Sequence, residues 1–351
     1  MMPQPARLFT SADAAPRAVR LWLLVVALMV IAMILVGGAT RMTDSGLSIT
    51  EWKPIHGAIP PLSVAEWQEE FDKYRQIPEY QLVNKGMSLD EFKVIFWWEW
   101  GHRQLGRLIG VAFALPLIGF WVAGMLPGRM KPLLLGLLAL GGLQGAIGWW
   151  MVASGLVDRV DVSQYRLAVH LTMAFLILAG LVWALELARG RTREPATAAV
   201  RWMAGLILAV VFAQIFLGGL VAGLRAGWAY NTWPLLDGAL VPQGLLIQSP
   251  WWINLFENPK TVQFDHRLIA YVLLALVIFH AVQTARVLPS KALPESRAAR
   301  RATMLVALVV GQAVIGIAAL VTVVPLSLGL AHQLGAAAVL WAATVHRLRL
   351  G

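Results

Sequence analysis

Glu99-Trp100-Gly101-His102-Arg103 runs directly into an apolar stretch at 105–126, and Gln263-Phe264-Asp265-His266-Arg267 runs into another at 268–287. In both, a histidine enters a segment long enough to cross a bilayer, which takes about 20 apolar residues. Each has a companion at a closely similar distance downstream: His170 follows His102, and His332 follows His266. Imidazoles are costly in hydrocarbon, so four of them at matching places mark a functional site.

Working outward from these stretches, six more apolar runs emerge, at 21–38, 132–152, 167–187, 202–224, 302–324 and 326–345. The run at 105–126 extends upstream toward Ile95. With 58% hydrophobic residues and a mean hydropathy of +0.67, the chain exceeds the apolar fraction of soluble domains. The expected fold is an all-α integral membrane protein with eight transmembrane helices. Arg7, Arg17 and Arg20 before the first run suggest a signal peptide. That reading is set aside, because the first run has a counterpart in the fifth.

There is no cysteine. Disulfides, thiolate metal sites, cysteine nucleophiles and covalent c-type haem attachment are excluded. The formal charge of +10 invites a nucleic-acid reading, which its distribution removes. With the N-terminus in the cytoplasm and eight alternating helices, the cytoplasmic side carries 16 Lys and Arg against 4 Asp and Glu. This is the positive-inside pattern. It places both termini in the cytoplasm and the four paired histidines toward the outer face. Arg189, Arg191 and Arg193, with Arg297, Arg300 and Arg301, are expected to meet anionic membrane lipid.

The two halves repeat one another in order. Gly37-Gly38 matches Gly218-Gly219, and Gly46, Trp52 and Gly57 match Gly227, Trp233 and Gly238. His102 then matches His266, Gln144 and Gly148 match Gln312 and Gly316, and His170 matches His332. Four helices per half is an even number, so both halves face the same way. The expected architecture is two pseudo-symmetric four-helix bundles, residues 1–195 and 196–351. Glycine pairs such as Gly141-Gly142 and Gly218-Gly219 are expected to allow close helix approach. In the long outer loop, Ser63 with Glu66 and Ser88 with Glu91 read as capping boxes. The second box is expected to start a helix that enters the membrane through Phe92, Trp97 and Trp98. The outer tryptophans read mainly as an interfacial belt.

Paired imidazoles on facing helices of a bundle suit axial ligation of haem iron. His102 with His170, and His266 with His332, meet that requirement if the second and fourth helices of each half face one another. The halves are not chemically equal. Glu99 shares a helix face with His102, whereas its counterpart Gln263 takes up no proton. The first half is therefore expected to do chemistry, with Glu99 as acid or base, and the second to hold a permanent cofactor. Arg41, Arg103, Arg107, Arg166, Arg225 and Arg267 are candidates to hold haem propionates. A competing arrangement stacks two haems through the second half. There His280 follows His266 at the same interval by which His346 follows His332. It leaves His102 and His170 unexplained.

These residues resemble the haem A synthases. The resemblance covers nearly the whole chain. It rests on Gly37-Gly38-Ala39-Thr40-Arg41, Ser45-Gly46-Leu47-Ser48, Trp52-Lys53-Pro54-Ile55-His56-Gly57, Glu99-Trp100-Gly101-His102-Arg103, Gly223-Leu224-Arg225-Ala226-Gly227 and Asn231-Thr232-Trp233-Pro234. His170, His266 and His332 complete it. The resemblance implies haem b in the C-terminal half and haem O as substrate in the N-terminal half. It further implies oxidation of the haem O C8 methyl to a formyl group by two hydroxylations and loss of water, giving haem A for cytochrome oxidase. Without cysteine, the chain resembles the branch found in proteobacteria and mitochondria, and a mechanism through a redox disulfide does not apply. His266 and His332 are thus expected to ligate haem b, and His102 and His170 to flank the substrate, with Glu99 assisting at the methyl carbon. The implied setting is the inner membrane. Implied partners are a haem O synthase, cytochrome oxidase assembly factors and an unknown electron carrier, with no nucleic acid. Homo-oligomerisation is left open. The alternative of another class is a di-haem b electron-transfer protein without substrate chemistry.

Overall fold

Inside a bilayer each backbone amide must find its partner within the protein, and a helix supplies that segment by segment. A computed structural model describes residues 14–191, 193–287 and 296–351; Arg7 lies outside them. Among the described residues the chain is helical and contains no β-sheet. The helices are α1 (Arg17–Met42), α2 (Val64–Tyr74), α3 (Pro78–Leu82), α4 (Leu89–Val122), α5 (Lys131–Ala153), α6 (Gln164–Ala188), α7 (Ala198–Gly223), α8 (Ala226–Ala229), α9 (Asn254–Glu257), α10 (Pro259–Val287), α11 (Arg297–Val321) and α12 (Leu326–Arg349). Eight of these, α1, α4 to α7 and α10 to α12, are long and apolar enough to cross a membrane. The all-helical, multi-pass membrane fold expected from the sequence is the one observed.

Both capping boxes form. Ser63 opens α2 with Glu66, and Ser88 opens α4 with Glu91. Because Ser88 starts it, α4 has 34 residues and is about 51 Å long at 1.5 Å per residue. That exceeds the ~30 Å hydrocarbon thickness. Its outer end projects beyond the apolar layer, where Phe92, Ile95 and Phe96 pack with Phe71, Tyr74, Ile77 and Tyr80 of the outer loop. Pro116 lies inside α4 without ending it, as membrane helices tolerate.

The helix pairings repeat. Helix α1 packs on α4, α4 on α5, α5 on α6 and α6 on α1; α7, α10, α11 and α12 pair in the same cyclic order. The halves meet where α6 packs on α7, α12 on α1, and α6 on α12. Exchanging the halves maps this set onto itself, in agreement with a two-fold repeat. Side chains at the junction follow suit. Asp44 and Arg225, counterparts in the repeat, both take left-handed backbone (φ 50° and 51°). They pair with each other at 2.6 Å. Asp161 joins them, accepting from Arg41 at 2.7 Å and from Arg225 at 3.0 Å. Burial opposes ionisation of Asp161, but the two guanidiniums prevail and hold its carboxyl below the ordinary range.

Glycines bring the halves together. A Cβ on Gly219 would lie 2.7 Å from the Ala168 backbone, and one on Gly223 would lie 2.6 Å from that of Gln164. This is the small-x3-small contact of membrane helices. Gly141 and Gly142 correct the expectation drawn from sequence: nothing lies within 4 Å of a Cβ at either. At the end of the bundle opposite the long loop, Glu186 pairs with Arg189 and Arg349, and Glu194 with Arg301. Two of the arginines assigned to lipid are therefore ion-paired within the protein.

Under the outer loop, Glu79 is buried and accepts a hydrogen bond from the Tyr74 hydroxyl at 3.0 Å. Burial, partly offset by that bond, pushes its carboxyl up to about 8 from an ordinary 4.5. Between these values the folded protein keeps a proton that the unfolded chain has released. Stability therefore falls as pH rises across that window and levels off above it. Glu79→Gln removes the penalty. The melting temperature of the solubilised variant is expected to exceed that of the wild type above about pH 8, and the two are expected to converge near pH 4.5.

Candidate functional site

The four histidines occupy four helices: His102 on α4, His170 on α6, His266 on α10 and His332 on α12. Each ring lies against a glycine of a neighbouring helix. A Cβ would approach the imidazole Cε1 to 2.8 Å from Gly37 toward His102, and to 2.9 Å from Gly148 toward His170. The corresponding distances are 3.3 Å from Gly218 toward His266 and 2.7 Å from Gly316 toward His332. Only a missing side chain admits a ring so close to a neighbouring backbone. Gly37, Gly148 and Gly218 are thus cradles for imidazoles as well as helix-packing residues, a role the sequence reading did not give them.

Three histidines are also held through their own backbone. Gln144 Nε2 donates to the His170 carbonyl at 3.0 Å, Gln214 Nε2 to that of His266 at 3.0 Å, and Gln312 Nε2 to that of His332 at 2.8 Å. In each case the glutamine stands four residues before the cradle glycine. Gln214 escaped the sequence reading, although Gln214 with Gly218 has the spacing already noted for Gln144 with Gly148 and for Gln312 with Gly316.

In the C-terminal half the two histidines approach one another. His266 and His332 have ring centroids 6.5 Å apart. Imidazole nitrogens bind first-row metals at about 2 Å, which sets the ring centroids of a bis-imidazole pair about 6 Å apart. The Nδ1 atoms of His170 and His332 are buried without a partner. An unsatisfied nitrogen in an apolar interior marks a place for a further group. The donor set and the cradles therefore suit a haem iron in each half. His280 and His346 differ. Both are buried, and their Nε2 atoms share a hydrogen bond of 2.7 Å, which leaves no gap for an iron between them. The stacked arrangement has no support in this geometry.

Glu99 is buried beside the first outer loop. Its carboxylate accepts from Ser48 Oγ at 2.7 Å, from the Ile49 amide at 2.8 Å, and from Arg103 at 2.6 Å. Gln263 stands at the equivalent place and donates to the carbonyl of Tyr230, the counterpart of Ile49. Arg103 donates to the Glu51 carbonyl at 3.0 Å, and Arg267 to that of Thr232 at 2.8 Å. The two residues flanking the cradle histidine thus tie an outer loop down over each half. The remaining arginines named above are engaged too. Arg41 and Arg225 hold Asp161, Arg107 donates to the Pro54 carbonyl, and Arg166 donates to the Trp150 carbonyl while lying 4.6 Å over that ring.

Residues 20–344 match the COX15-CtaA family model, described as cytochrome oxidase assembly protein. The chain belongs to the COX15-CtaA family. It is 61% identical over 340 residues to a protein of Chelativorans sp. (strain BNC1) named Heme A synthase, covering 95% of this chain and 92% of that one. A Heme A synthase of Brucella anthropi is 59% identical over 337 residues, and one of Brucella ovis 58%, with the same coverage. The match spans both histidine pairs and every cradle glycine, so the family resemblance and the local geometry concern the same residues.

A methyl group at Gly316 must displace the His332 ring, whereas one at Gly311 meets nothing within 4 Å. Gly316→Ala is expected to lower the haem bound per protein and broaden its low-spin spectrum. Gly311→Ala is expected to match the wild type, and absorbance per purified protein measures both.

Proposed function

We propose that this member of the COX15-CtaA family is a haem A synthase, an oxidoreductase that converts the C8 methyl of haem O to the formyl group of haem A. The observation that carries the reading is the histidine pair on facing helices in both halves, each ring cradled by a glycine, in a chain 61% identical to a protein of that name. Residues 1–195 take the substrate haem O between His102 and His170. Residues 196–351 hold haem b between His266 and His332. Haem b, when bound there, supplies one-electron transfer.

The protein's own part is to hold, orient and seal. Gln214 and Gln312 fix the backbones of the C-terminal histidines, and Gly218 and Gly316 admit their rings. In the N-terminal half Gln144 and Gly148 do the same for His170. Glu99 keeps a negative charge at the outer edge of the substrate site and binds the 45–51 loop across it. Three donor groups, the Ser48 hydroxyl, the Ile49 amide and the Arg103 guanidinium, occupy its carboxylate. That favours stabilising positive charge at the reacting methyl carbon over abstracting a proton. Each hydroxylation replaces one C–H bond by C–OH, with water supplying the oxygen and two electrons and two protons leaving to an external acceptor, and loss of water from the twice-hydroxylated carbon leaves the formyl group. The excess of basic residues toward one side supports cytoplasmic termini and sites toward the periplasm, in the inner membrane. An apolar substrate calls for direct supply by a haem O synthase and delivery of product to oxidase assembly factors. A separate electron carrier completes the exchange.

Expression in a host that makes haem O but lacks its own synthase tests the reading. Extracted haems should include haem A or its hydroxylated intermediate, absent from a vector control. Unconverted haem O beside two equivalents of haem b, in folded protein supplied with redox partners, would favour the electron carrier instead. Glu99→Gln is expected to retain both haems and lose about 100-fold in turnover, the typical contribution of one positioned acid, base or charge. Full turnover in that variant removes the role given to Glu99.

A further inference from the structure

One of the four histidine sites departs from the common plan. Helices α5, α7 and α11 each present a glutamine four residues before the cradle glycine, and its amide binds the carbonyl of the histidine opposite. On α1 the cradle is Gly37, and the residue four before it is Met33. A thioether donates no hydrogen bond. The histidine side has changed with it. Four residues after His170, His266 and His332 stand Ala174, Ala270 and Ala336, whereas Gly106 follows His102 at that interval. A Cβ on Gly106 would lie 3.0 Å from the Met33 methyl. Met33 and Gly106 therefore replace the glutamine and alanine of the other three sites as a fitted pair.

The consequence is mechanical. An amide-to-carbonyl bond between helices fixes the depth and rotation of the ligand helix, and it is directional. Methionine has three rotatable bonds and adapts its shape to whatever moves beside it. His170, His266 and His332 are pinned, and His102 is packed but not pinned. We propose that His102 is the displaceable axial ligand of the N-terminal haem, made so by Met33 and Gly106. The inference rests on the reading that both histidine pairs ligate haem iron. It gives the substrate half an iron face that opens to a small ligand, while the C-terminal iron stays closed on both faces. Met33 acts here through His102 and is a positioning residue.

Carbon monoxide binding to the reduced, doubly loaded protein tests this without reference to turnover. The wild type should show one carbon-monoxide-reactive haem of two. Met33→Gln should keep both haems and slow carbon monoxide association at that site about tenfold, as one added hydrogen bond predicts. Gln214→Met should do the reverse and make the C-terminal haem reactive. Wild-type kinetics in a fully loaded Met33→Gln protein overturn the proposal. If Met33→Gln fails to load, the Gln214→Met arm decides, and an unreactive C-terminal haem there overturns it equally. Failure of the underlying reading looks different: His102→Ala and His170→Ala would each retain both haems with unaltered spectra.

Discussion

An imidazole placed among apolar helices needs two things from its neighbour, room for the ring and a partner for its polar atoms. Much of this chain follows from meeting that need four times. The room comes from Gly37, Gly148, Gly218 and Gly316, whose missing side chains let a ring touch the adjacent backbone. The partner comes in part from Gln144, Gln214 and Gln312, which hold the histidine backbones and leave ring nitrogens such as His332 Nδ1 unpartnered. An unpartnered ring nitrogen is costly in a medium without water, and at three of the four sites the glycine, the glutamine and the histidine occur as a set.

The same economy appears where the loops cover the two halves. Glu99 and Gln263 use different chemistry for one task, fixing the loop strand at Ile49 and at Tyr230. A carboxylate accepts from an amide N–H where an amide side chain donates to a carbonyl, so the loop backbone differs in the group it turns inward. Asp161 sits where the two halves meet and binds an arginine from each. Its ionisation, secured against burial by those arginines, ties the relative placement of the halves to one small polar cluster. Beneath it, Gly219 and Gly223 bring α7 against α6 more closely than side chains would allow.

Divergence between the halves is as informative as their likeness. The C-terminal half retains a glutamine at both sites and an imidazole pair at the spacing of axial ligands. In the N-terminal half, a methionine stands in place of one glutamine and a charged residue stands at Glu99. The duplicated scaffold thus carries the same interhelical hydrogen bond at both C-terminal histidines and at only one N-terminal histidine. His280 and His346 show how little it takes to lose that capacity, since two rings that bond directly to each other enclose nothing.

Sequence alone determined the helical crossings, their number, the duplication and the four histidines. Apolar length, turn chemistry and residue interval are one-dimensional properties, and both capping boxes formed where Ser63 and Ser88 announced them. It also offered the glutamine pattern, which went unread at Gln214 because the repeat was followed between halves and not within them. Tertiary structure decided the rest. Sequence could not show that the glycines cradle rings while Gly141 and Gly142 face open space, that Glu99 turns to the outer loop, or that Asp44 meets its own counterpart Arg225. Those facts depend on which faces of distant helices meet. Hydropathy carries almost no information about rotation of a helix that is apolar all round, so only packing could fix it.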